Sequence, residues 1–209
     1  MAFREGMVVE RFSVKGKGGK ELAEGGFSQG FCNGKRLEVM FRYPKEGDAK
    51  AALKMVNGVR KEAEHLGMRR METLKSEMCW LEGRLREMRQ RKALVLFVEV
   101  DGKIVGDASI HAYHLDVSDH VGCFGIMLKE EFTGLGLGTR LAEKIFELAK
   151  KETGFRLIES GFFAENKRSR ALHKKLGFKE YGVFPNAVRL CSGKYADHVA
   201  VCKQIGPLE

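Results

Sequence analysis

Residues 121–149 read VGCFGIMLKEEFTGLGLGTRLAEKIFELA. They give an apolar strand over 121–128, a loop with glycine at every second place, and a helix marked by Leu141, Ala142, Ile145, Phe146, Leu148 and Ala149. Strand, glycine loop and helix in that order make an anion site. Gly134, Gly136 and Gly138 let the backbone approach a bulky anion, and the unpaired N–H groups and dipole of the first helical turn favour phosphate oxygens. Spacing excludes two familiar phosphate loops. A dinucleotide fingerprint needs G-x-G-x-x-G and a P-loop ends in Gly-Lys-Ser/Thr, whereas Thr133-Gly134-Leu135-Gly136-Leu137-Gly138 does neither.

Further on, Asn166-Lys167-Arg168-Ser169-Arg170-Ala171-Leu172-His173-Lys174-Lys175-Leu176-Gly177-Phe178 places an N-cap residue at the start of a basic helix. With these two segments in view, the chain resembles the GNAT N-acetyltransferase superfamily. The first fits that family's pyrophosphate loop, R/Q-x-x-G-x-G/A, and the second its cofactor segment, N-x-x-x-x-x-L-Y-x-K-x-G-F. Two departures stand out: Thr133 replaces the usual Arg or Gln, and His173 the usual Tyr. The resemblance covers 121–205 well and 37–120 only in its order of elements. It implies an α/β (α+β) fold with a mixed, mainly antiparallel splayed sheet flanked by helices, acetyl-CoA as cosubstrate, and a domain over 36–209 preceded by an N-terminal hairpin or arm over 1–35.

Working towards the N-terminus, 94–100 and 103–114 flank Asp101-Gly102 and read as an antiparallel hairpin. Met71, Leu74, Met78, Leu81, Leu85 and Met88 form a narrow apolar stripe on a long helix, which suits packing on the domain or, in a sharper reading, a homodimer. Before it, Ala52, Val56, Val59, Ala63 and Leu66 repeat at helical spacing, with Asp48 expected as N-cap and Gly67 as the stop. A strand over 37–43 ends at Pro44.

The formal charge of +9 draws polyanions but does not choose among them, and no nucleic-acid motif accompanies it. Cys32, Cys79, Cys123, Cys191 and Cys202 are odd in number and form no C-x-x-C pair, so reduced thiols and a cytoplasmic location are expected. No stretch has the length of a membrane span or a signal h-region. His111, His114, Asp116 and His120 match no established metal-ligand spacing, and no metal is expected.

Acetyl transfer to a primary amine needs a neutral nucleophile, a polarised thioester and a proton for the thiolate. The resemblance implies direct attack in a ternary complex. It assigns the coenzyme to Ile126, Met127, Leu128, Thr133, Gly134, Leu135, Gly136, Leu137, Gly138, Thr139, Asn166, Ser169 and His173, with a bulge at 125–128 freeing backbone groups for pantetheine. His173 is the candidate acid. Glu99, Asp107 and Glu159 are the candidate bases, and Cys123 is the one thiol near the site. Two other readings stay open: a catalytically silent coenzyme A-binding or partner-binding module with this fold, and a basic ribosome- or RNA-associated protein.

Overall fold

The computed structural model describes residues 3–16, 36–62, 70–190 and 192–208; Cys32, Cys191, Ala63, Leu66 and Gly67 lie outside them. In chain order the elements are β1 (Val8–Lys15), β2 (Arg36–Arg42), α1 (Ala49–Glu62), α2 (Leu74–Arg89), β3 (Ala93–Val100) and β4 (Lys103–Ala112). There follow β5 (Val121–Leu128), α3 (Leu137–Glu152), β6 (Leu157–Phe163), α4 (Lys167–Lys175), β7 (Lys179–Arg189) and β8 (Tyr195–Gln204). One sheet runs β1-β2-β3-β4-β5-β6-β8-β7. Every neighbouring pair is antiparallel except β5 and β6.

Local chemistry explains most boundaries. Asp101 and Gly102 both have positive φ, 46° and 77°, the backbone that lets a two-residue turn follow the right-handed twist of β3 and β4. β3 is buried along almost its whole length, as expected of a central strand covered on both faces. α1 and α2 pack on one face over β3 and β4, while α3 packs on the other. Asp48 ends a 3-10 turn just before α1 rather than standing at its N-cap. Its carboxylate accepts from the Lys45 N–H (2.9 Å) and from Arg42 Nη1 (2.7 Å), so it fixes the helix start by clamping β2 to it.

The stripe on α2 divides. Leu81, Leu85 and Met88 are buried, but Leu74 and Met78 are 37% and 44% exposed, and Met71 precedes the helix at 48%. Glu77 takes the inward position that the spacing gave to an apolar side chain. Within the N-terminal segment, β1 joins the sheet edge beside β2, stitched to α3 by Arg140 Nε donating to Glu10 (2.7 Å) and by the Arg140 guanidinium 3.6 Å over the Phe12 ring. Among the described residues no helix is long and apolar enough to cross a membrane.

Candidate active site

The site begins where β5 and β6 part. Their pairing lasts three residues, Val121 with Leu157, Gly122 with Ile158 and Cys123 with Glu159, after which no further pair forms. Each strand stays fully paired on its other side, β5 to β4 as far as Leu128 and β6 to β8 as far as Phe163. The result is a wedge between two intact sheets, with backbone groups of 125–128 facing it. The expected bulge in β5 is absent. Register against β4 is unbroken from Gly106 with Leu128 to Ala112 with Gly122, so the parting itself frees the backbone; the register shift lies instead between β3 and β4, at Val98/Glu99.

At the mouth of the wedge the glycine loop alternates by exposure. Leu135 and Leu137 turn into the core, while Gly134 and Gly136 face solvent with φ of 73° and 80°. Gly136 is the N-cap of α3 and no side chain caps that helix, so the first-turn N–H groups of 137–139 point outward beside a left-handed glycine. That geometry fits a pyrophosphate. Ile126 and Leu128 lie under the same turn, their Cδ1 atoms 3.9 and 3.5 Å from where a Cβ on Gly138 would be. Thr133 spends its hydroxyl locally, donating to the Glu130 carbonyl at 2.7 Å, and so supplies no cation. Arg168 of α4 reaches the same edge, bonded to Glu130 at 2.7 Å.

Successive residues of β6 point to opposite faces, and at the apex of the wedge this separates two kinds of chemistry. Ser160 points to the α3 and α4 side. Its hydroxyl lies 2.9 Å from both the Phe124 carbonyl oxygen and His173 Nε2, bridging the first position where strand pairing fails. Asn166 caps α4 through the Ser169 N–H (3.0 Å), and His173 Nδ1–H donates to the Ser169 carbonyl (2.8 Å). His173 is 4% exposed and ringed by Phe124, Phe162 and Phe178, and burial lowers its pKa below the ordinary histidine value. Both ring nitrogens are therefore occupied, and no nitrogen faces the wedge. The geometry does not support the acid role expected of His173, because an imidazole is too short to replace tyrosine's outward hydroxyl once Ser160 and Ser169 hold it.

Glu159 points to the other face, beside Cys123 and within 3.3 Å of the Tyr181 hydroxyl. Burial, then Glu159, pushes the Cys123 thiol up to about 11 and the Tyr181 hydroxyl up to about 12. A thiol so raised is a poor nucleophile at neutral pH. The other candidate carboxylates stand apart. Glu99, on β3, accepts from Arg42 Nε at 2.7 Å and belongs to the Arg42–Asp48 clamp. Asp107, on β4, is 4% exposed beneath α2; burial, then Glu77, pushes it up to about 7, and burial, then Glu72, pushes Glu77 up to about 7. Spacing alone did not single out Ser160 or Glu77, because each matters through a strand or helix distant in sequence.

Comparison with known proteins agrees with this geometry. Residues 54–178 match the family described as Acetyltransferase (GNAT) family. An uncharacterized N-acetyltransferase of Methanocaldococcus jannaschii is 33% identical over 95 residues, and the chain spans 42% of that protein's length while 44% of this chain is covered. Among solved structures, a GNAT-family acetyltransferase from Streptococcus pneumoniae superimposes with a TM-score of 0.73 at 21% identity, covering 79% of this chain and 99% of that one. A ribosomal-protein-alanine N-acetyltransferase from Brucella melitensis gives 0.69 at 26%, covering 78% and 98%. A putative acetyltransferase from Salmonella typhimurium, solved with its cofactor acetyl-CoA, gives 0.72 at 20%, covering 82% and 96%. With the parted strands, the open helix start and more than half its length matched, the chain belongs to the GNAT acetyltransferase family.

Proposed function

We propose that this protein transfers the acetyl group of acetyl-CoA to a primary amine by direct attack in a ternary complex. One observation carries the reading: the wedge between β5 and β6 ends at an uncapped helix start whose glycine backbone faces outward. Loop residues 134–139 hold the pyrophosphate, and 126–128 carry pantetheine along the freed edge of β5. A backbone N–H near Leu128 polarises the thioester oxygen, a donor of the kind that contributes ~3 kcal/mol to a transition state. Asn166, Ser169 and His173 act by building the helix and brace that line the wedge. Because Glu159 and Ser160 face opposite sides of β6, the amine enters on the Glu159 face and the thioester on the other. The raised Cys123 thiol favours direct attack over an acyl-cysteine.

Glu159 is the one of the three candidate carboxylates at the apex, and we assign it to receive the acceptor's ammonium. Exposed Tyr181 and Phe184 continue that face along β7. The Brucella relative, named for acting on ribosomal-protein alanine, makes an alanine-initiated protein N-terminus the first acceptor to try. Thiol release from acetyl-CoA tests the reading with an alanine-initiated peptide, a lysine peptide, spermidine, glycine and an aminoglycoside. At least one should be acetylated, and Glu159→Gln should lower that turnover ~100-fold with coenzyme affinity retained. No release with any of the five would leave a coenzyme-binding module; full activity in the variant would remove Glu159.

A further inference from the structure

Gly161 follows Glu159 by two residues on β6 and faces the same way, at a point where β5 has already turned aside. A Cβ placed there would lie 2.4 Å from both Cε1 and Nε2 of His198. The imidazole thus fills the space that a side chain at 161 would need. His198 belongs to β8, where it pairs with Phe163, so its ring leans along the sheet toward the wedge instead of standing over its own partner. It is half-buried, and among the described residues its ring nitrogens have no hydrogen-bond partner. A glycine wall, a proton-accepting ring laid against it and Glu159 beside it form an arrangement on the acceptor face that sequence spacing did not reveal.

We infer that His198 is the group that takes the acceptor amine's proton. This rests on the acetyltransferase reading above and assigns it a base. Imidazole is the side chain best suited to take and return protons near neutrality. The ring first takes one proton from the bound ammonium and passes it to solvent, leaving a neutral amine. As the nitrogen–carbonyl bond then forms and the carbon–sulfur bond breaks, a second N–H proton leaves by the same imidazole nitrogen to solvent. The departing thiolate takes a proton from water, so the products are the N-acetyl amine and coenzyme A thiol. The Glu159 carboxylate, which accepts a hydrogen bond from the Tyr181 hydroxyl, draws the ammonium in and orients it. The carboxylate gathers the cation and the ring deprotonates it.

Two substitutions remove the ring in different ways. His198→Ala deletes it, and Gly161→Ala displaces it by occupying its space. Kinetics with acetyl-CoA and the same five amines should show kcat down ~100-fold in each, with calorimetric acetyl-CoA affinity nearly unchanged. The double variant should be no worse than His198→Ala, since both act on one group. Imidazole added to the buffer should restore part of the His198→Ala rate, which a merely structural role would not allow. Wild-type kcat in both variants, additive losses, or a loss that imidazole leaves untouched would overturn the role. A wild-type chain that acetylates none of the five overturns the acetyltransferase reading and takes this role with it, whereas failure in the variants alone sinks only His198.

Discussion

The helices that begin near the wedge start in opposite ways. α2 opens with a reciprocal cap: Thr73 Oγ1 accepts from the Ser76 N–H (3.1 Å) and Ser76 Oγ from the Thr73 N–H (2.9 Å). α4 opens with Asn166 accepting from the Ser169 N–H at 3.0 Å. α3 has glycine at the same place and no side-chain cap. The chain supplies its own acceptors at α2 and α4 and none at α3, which leaves that one start open for the oxygens the proposed coenzyme would bring.

The strongest way to break this contrast is to close the open start. Gly136 has a φ of 80°, which a β-branched residue resists. Gly136→Val should weaken coenzyme A by at least ~100-fold, about 3 kcal/mol, in calorimetry while circular dichroism stays native. Unchanged affinity would show that the loop is not the phosphate site.

A second test uses the acid in the first turn of α2. Glu77 and Asp107 both titrate near 7 when folded, above ordinary carboxylates, so folding takes up protons. A raised folded pKa gives stability that is fully present below the unfolded value and is lost as pH rises through the folded value. Wild type should therefore weaken between about pH 4 and pH 8, and Asp107→Asn should escape the part of that loss that Asp107 carries, while the Glu77 part remains. At pH 8 the variant should gain up to about 4 kcal/mol over wild type, and near pH 4 almost nothing, in urea melts at the two pH values. Equal differences at both would mean the pair is solvated.

The smallest effect concerns the capped starts. Thr73→Ala and Asn166→Ala should each cost about 1 kcal/mol of stability in thermal melts. Thr73→Ala should leave coenzyme affinity unchanged, because its cap serves only the fold. A comparable loss of affinity from both would erase the distinction between the helix starts.

Legibility followed sequence distance. The Asp101-Gly102 turn, the amphipathic face of α3, the glycine loop and the Asn166 cap could be read because their causes lie within a few residues. The Ser160–His173 brace, the His198 ring over Gly161 and the Glu77–Asp107 pair depend on strand order and helix placement, which no local pattern carries. The stripe on α2 misled for a related reason. Periodicity shows that a face exists but not where its cover ends, and Leu74 and Met78 extend past it.

Three residue pairs and the Ser160 hydroxyl link β5 to β6, so the sheet is a splice of two antiparallel pieces. α3 runs from the end of one piece to the start of the other, and α4, anchored to the second, touches α3. Most core burial lies within the pieces, in strands such as β3 that never meet the seam. On the proposed assignment, acceptor preference would change at the face of β6 and β8 while the coenzyme edge of β5 stayed constant, a partition by which one architecture would serve many amines.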